Sequence, residues 1–178
     1  MSSVSEIYLL EILKGLKGMK SNAEKAIAQI NDQEIHFSPD AESNSVAIIM
    51  KHIAGNMLSR FTDFLTSDGE KPDRNRDGEF IDTFKSRDEL FSYWEKGWHC
   101  ALQTIQSLKE EDLLRIVSIK GEEQTALRAI QRQVVHYAYH CGQIVYLCKQ
   151  IRSTGFKTLS IPRAKPGATS SAPSTTAH

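Results

Sequence analysis

Apolar residues along this 178-residue chain recur at intervals of three and four, the period of a helix with one face in a core. Ser3-Val4-Ser5-Glu6 opens the first such stretch as a capping box, in which Ser and a Glu three residues on satisfy each other's free amides. Behind it Ile7, Leu10, Leu13, Ile27 and Ile30 keep helical spacing, which predicts a helix over about 4–31 with Gly15 and Gly18 as soft spots. A loop with Ser38-Pro39 follows. A second helix is predicted from Asn44-Ser45 to Leu65, with Ile49, Ile53, Met57, Phe61 and Phe64 as its buried stripe. Ser86-Arg87-Asp88-Glu89 is another capping box, opening a third helix whose broad apolar face is Leu90, Phe91, Trp94, Trp98, Ala101, Leu102 and Ile105. A short extended piece, Ile116 to Ile119, ends at Gly121. The fourth helix is expected from about Thr125 to Ile151, with Leu127, Ile130, Val134, Ala138, Val145 and Ile151 inward.

Four long helices and no convincing sheet predict an all-α four-helix bundle over residues 1–160; a less regular helical domain is the alternative. From Ser160 the chain is dominated by Ser, Thr, Ala, Pro and Gly, so 161–178 reads as a disordered tail. A long crossover, 66–86, joins the second and third helices. It is rich in charge and carries the turn signals Asp68-Gly69 and Asp77-Gly78. Connections of that length are uncommon in compact domains. Two readings are open: a solvated crossing of the bundle end, or a role in shaping a site.

Composition narrows the class. A chain 40% hydrophobic and 25% charged is not a disordered one. Lys and Arg total 22, as do Asp and Glu, and this neutral balance argues against a nucleic-acid partner. The body is mildly acidic, because no acid follows Glu123 whereas Lys157, Arg163 and Lys165 do. No apolar run approaches the roughly 20 residues of a membrane span. The N-terminus lacks a basic segment and carries Glu6 and Glu11 in its apolar stretch, so it is not a signal peptide. Cys100, Cys141 and Cys148 are odd in number and read as thiols of a reducing cytoplasm.

The candidate chemistry lies in the histidines. His136 and His140 are four apart, so on a helix they share a face with Cβ atoms about 6 Å apart and can hold one metal ion. Tyr137 stands where the zinc-peptidase motif needs Glu, so that reading fails. His52 sits near the buried stripe of the second helix, with Gly55 close by to let another helix approach. If the second and fourth helices are neighbours, His52 faces His136 and His140. Taken alone, the four-residue spacing is common by chance, and His52 reads sooner as a core or helix-interface histidine satisfied by a hydrogen bond. His99 reads as structural or partly exposed, and Cys141 and Cys148 as packing residues.

The segments HYAYHCGQIVYL (His136 to Leu147), MKHIAGNMLSRFTDFL (Met50 to Leu65) and DGEKPDRNRDGEF (Asp68 to Phe80) together resemble the DinB-like superfamily, and within it a bacterial subgroup of unassigned function. The resemblance runs from the first helix to about Arg163. It implies a four-helix bundle, often a homodimer. It also implies a divalent metal, commonly zinc or nickel, on His52, His136 and His140. Some relatives in that superfamily join low-molecular-weight thiols to electrophiles, or isomerise substrates with such a thiol.

Three neutral imidazoles leave an ion its full charge and an open position, which suits activation of water or of a thiol. Gln143 and Asp63 are candidates to orient a ligand from the metal face, and Arg60, Arg74 and Arg76 to meet a carboxylate-bearing thiol or substrate. The expected function is therefore a cytoplasmic metal-dependent enzyme, a thiol S-transferase or a hydrolase. The rival is a non-catalytic dimeric module for metal binding or stress response.

Overall fold

The computed structural model describes residues 2–162. The order is α1 (Val4–Ile27), α2 (Val46–Phe61), α3 (Arg87–Ser107), a hairpin of β1 (Ile116–Ile119) and β2 (Glu122–Thr125), and α4 (Ala126–Arg152). Single 3-10 turns cover Glu34–His36, Asp77–Phe80, Glu110–Leu114 and Ser153–Gly155. The fold is an all-α bundle in which α2 packs on α3, α1 packs on α4, and α2 also meets α4. No helix among the described residues is long and apolar enough to cross a membrane. The expected tail lies, from residue 163, outside the described residues.

The helix starts follow their caps. Ser3 accepts from Glu6 N while Glu6 Oε2 accepts from Ser3 N, closing the predicted box. Ser86 accepts from Glu89 N, but the Glu89 carboxylate reaches back to Lys85 N instead of Ser86, so only half of the second box forms. Ser45 and Thr125 cap α2 and α4 in the same way.

The ends differ from expectation. Helix α1 stops at Ile27, short of 31, where the Arg87 guanidinium donates to the carbonyls of Ile27 and Ile30 at 2.8 and 3.1 Å. Helix α2 stops at Phe61, short of Leu65: Thr62 turns extended and Asp63 adopts φ 49°. The extended piece has a partner that the sequence reading missed. Lys120 and Gly121, both at positive φ, form a two-residue turn that folds β2 antiparallel onto β1, with Ile116 opposite Thr125.

Burial confirms the α2 stripe and most of the α3 face. Trp94, Trp98, Tyr137 and Phe61 are the largest fully closed side chains of the core among the described residues. Two stripes need correction. On α1, Ile7 and Leu10 are exposed, and Leu9, Leu16, Ala23 and Ala26 turn inward. On α4, Leu127 and Ala138 face outward, while Tyr137, Cys141, Ile144 and Cys148 fill the core. The buried Tyr137 hydroxyl donates to Asn56 Oδ1 at 2.9 Å, which lets a polar-tipped side chain take a core position. Cys141 and Cys148 are packing residues, as expected, and burial pushes both thiols up to about 12.

Helix α3 approaches α2 through Gly97, where an added Cβ would lie 2.6 Å from Ala54 Cα. The crossover does not simply span the bundle end. It folds back along α2, and its anchor is Asp68, whose carboxylate accepts from Ser118 Oγ at 2.5 Å and from the amides of Glu70, Lys120 and Gly121. Those bonds hold the Asp68 carboxyl well below the usual range, the Ser118 bond first among them.

Candidate metal centre

His52 projects from the middle of α2, His136 and His140 from successive turns of α4, and the meeting of α2 with α4 brings all three together. Their ligand atoms lie within 4.8 Å of one another, so the group could hold a metal ion. His136 Nε2 is 3.2 Å from His52 Nε2 and 3.0 Å from His140 Nε2. The edge of a tetrahedron with zinc–imidazole bonds is about 3.3 Å, so these two spacings match two edges of such a shell.

The other ring nitrogens show which tautomers are present. His52 Nδ1 is 2.9 Å from Glu79 Oε2 in a buried contact. A carboxylate only accepts, so Nδ1 carries the proton and Nε2 presents a lone pair to the cluster. His140 Nδ1 donates in the same way to Gln143 Oε1 at 2.8 Å, freeing its own Nε2. Gln143, a candidate from the sequence, thus orients a ligand residue. The donor set fits a divalent cation of imidazole preference: the three Nε2 atoms converge, and outer hydrogen bonds fix the His52 and His140 rings.

Burial, then the neighbouring His140 and His52 rings, push His136 down to about 3. His140 is also lowered, by burial, against the opposing effect of its bond to Gln143. Both are therefore neutral, the state that binds metal, at ordinary pH.

Glu79 and Phe80 escaped the sequence reading. Both arrive on the crossover's 3-10 turn. Phe80 stacks on the His52 ring with centroids 4.7 Å apart, and Glu79 receives Arg74 at 2.7 and 2.9 Å besides His52. Burial works against the Glu79 charge, but the bonds from His52 and Arg74 outweigh it and hold its pKa below the ordinary value. The one signal in the sequence was Gly55. An added Cβ there would lie 2.6 Å from Glu79 Oε1, so the glycine makes room for a carboxylate and not, as expected, for another helix.

The other candidates lie elsewhere. Asp63 is exposed past the end of α2 and caps its own turn through its backbone carbonyl, apart from the imidazoles. Arg74 is consumed by Glu79 and Glu70, and Arg60 by Glu70 and the Gly69 carbonyl. Neither is a free cation for a substrate; Arg76 is exposed. His99 is exposed on α3, and Cys100 contacts Thr62. Among the described residues no Cys, Asp or Glu joins the three-histidine group as a further ligand.

Comparison with curated proteins finds none that matches the chain. The sequence model of one family, described as "Protein of unknown function (DUF1572)", matches residues 3–165, from the first turn of α1 past the end of α4, with all three histidines inside the match. The chain therefore belongs to the DUF1572 family.

Proposed function

We propose that the protein is a DinB-like metal-dependent enzyme that activates a small thiol or a water molecule, with zinc or nickel held by His52, His136 and His140. The observation that carries this reading is the incomplete ligand set: three imidazoles converge, the outer nitrogens of two of them are engaged, and among the described residues no Cys, Asp or Glu joins them. A structural zinc site is normally closed by four protein ligands, so the arrangement speaks for chemistry over mere stabilisation. When bound, a divalent ion supplies Lewis acidity and lowers the pKa of a water or thiol in its open position.

The chain's own residues prepare that position. Glu79 and Gln143 keep two lone pairs aimed inward. Phe80 covers one face of the His52 ring and keeps water from it. Exposed Val135, Tyr139 and Tyr146 on α4 support the homodimer that belongs to this proposal.

The test is metal content of protein purified without chelator or added metal, wild type beside His52→Ala, His136→Ala and His140→Ala. About one equivalent of a transition metal in the wild type, absent from folded variants, is expected. Turnover of an electrophile only with a small thiol present then marks a transferase, and hydrolysis without thiol marks a hydrolase. Variants that still bind one metal per chain tightly remove the site; a metal-loaded protein inert in both assays favours the non-catalytic module.

A further inference from the structure

Among the described residues three buried side-chain atoms have no hydrogen-bond partner: Trp98 Nε1, Gln133 Oε1 and His136 Nδ1. Two of them belong to residues three apart on α4, neighbours on one helix surface with Cβ atoms about 5–6 Å apart. Gln133 is only 8% exposed, and a buried amide oxygen without a donor is costly and rare. Trp98 Nε1, the third orphan, belongs to a ring on α3 that packs against Tyr137, one turn beyond Gln133.

The two α4 atoms do not meet in a hydrogen bond in this structure, and the tautomers give neither a reason to. His52 and His140 each point a bare Nε2 at His136, at 3.2 and 3.0 Å. Without a cation, a proton on His136 Nε2 relieves the repulsion, since it can be donated to one of these two lone pairs. His136 Nδ1 is then a lone pair that needs no acceptor, and Gln133 Oε1 has nothing to accept. Were the three Nε2 atoms to hold a cation, His136 would lose its Nε2 proton to solvent and the neutral ring would carry one on Nδ1 instead. The switch leaves the ring's proton count unchanged. It creates a buried donor one turn from a buried, unused acceptor.

We propose that Gln133 is the third positioning residue of the metal centre, its Oε1 accepting the Nδ1–H of His136 once a divalent cation occupies Nε2. The inference rests on the metal-site reading above. With it, each imidazole has an outer partner: Glu79 for His52, Gln143 for His140 and Gln133 for His136.

The experiment uses the full chain with zinc as the probe. Long-range proton–nitrogen spectra of ¹⁵N-histidine protein should show His136 protonated on Nε2 without metal and on Nδ1 with zinc, the new proton exchanging slowly. Gln133→Leu should weaken zinc affinity by about 10–100-fold, the range for loss of such a partner. It should also speed exchange of the Nδ1 proton, while the urea midpoint of the metal-free protein does not fall. Gln133→Glu, which keeps an acceptor, should restore affinity to within about threefold of wild type. Gln133→Met, nearly the same shape, replaces the Leu variant if that one does not fold. A Leu or Met variant that binds zinc within twofold of wild type overturns the Gln133 assignment alone, as does a His136 already protonated on Nδ1 without metal. A wild type that binds no zinc overturns the metal centre and Gln133 with it.

Discussion

At the scale of single residues, Glu79 decides most. Its carboxylate is buried between His52 and Arg74 and neutralises a cation while it orients the His52 ring of the candidate site. Glu79→Gln keeps the shape but removes the charge, leaving the Arg74 guanidinium, itself almost fully buried, paired only with Glu70. The expected results are a metal affinity about 10–100-fold weaker and a stability loss of about 3–5 kcal/mol, the range for breaking a buried pair. Metal titration and urea unfolding of the same sample check both. His136 sets a pH dependence. Its folded pKa is near 3, whereas an unfolded histidine titrates near 6.5. Between those values the unfolded chain binds the extra proton, so the stability of the metal-free protein rises with pH and is lost as pH falls below about 6.5. His136→Asn should flatten the urea midpoint between pH 7 and 5, where the carboxylates stay ionised; an unchanged slope would contradict a buried neutral imidazole.

At the scale of elements, two glycines separate what holds the bundle from what tunes the site. Gly97 lets α3 close on the α2 backbone at Ala54, a contact that cannot yield without moving a helix. Gly97→Ala should cost about 1–3 kcal/mol by overpacking, with little effect on metal affinity. Gly55 instead faces the end of the Glu79 side chain. Gly55→Ala should displace that carboxylate from His52 and weaken metal binding more than it lowers stability. Equal effects of the two variants on both readouts would refute the division. The same scale shows where periodicity is a limited guide. The face of α2 was legible because Ile, Met and Phe mark it without ambiguity. On α4 an apolar stripe through Leu127 and Ala138 competed with one through Tyr137, Cys141 and Ile144. The second lies inward because the Tyr137 hydroxyl finds Asn56 across the core, a partner 81 positions away.

At the scale of the whole molecule, the crossover is part of the site and not a bridge over it. Asp68 ties its start to the hairpin turn, the Arg60–Glu70–Arg74–Glu79 chain of charges runs along α2, and Glu79 ends on His52. Hairpin, crossover and the three-histidine group thus form one connected network. Asp68→Asn weakens the acceptor that gathers Ser118 and three backbone amides, with an expected loss of roughly 1–3 kcal/mol. It should also raise hydrogen exchange in residues 68–80, and exchange that stays at the wild-type level would show the crossover to be held independently of Asp68. Because the folded carboxyl titrates below its unfolded value, this contribution is present above about pH 4 and fades as pH falls below it.

The sequence by itself determined the class of fold, the four helices and their caps, and the two-histidine face of α4. Each follows from contacts within a few residues, where the helical period and cap chemistry act. It also contained His52, although its meeting with α4 stayed conditional on which helices are neighbours. Tertiary structure alone decided that adjacency, the pairing of β2 with β1, the inward face of α4, and the arrival of Glu79 and Phe80 on His52. Those features depend on chain closure over tens of residues, and on burial that sets a carboxylate beside an arginine and an imidazole. No local period or spacing along a charge-rich crossover records such an encounter.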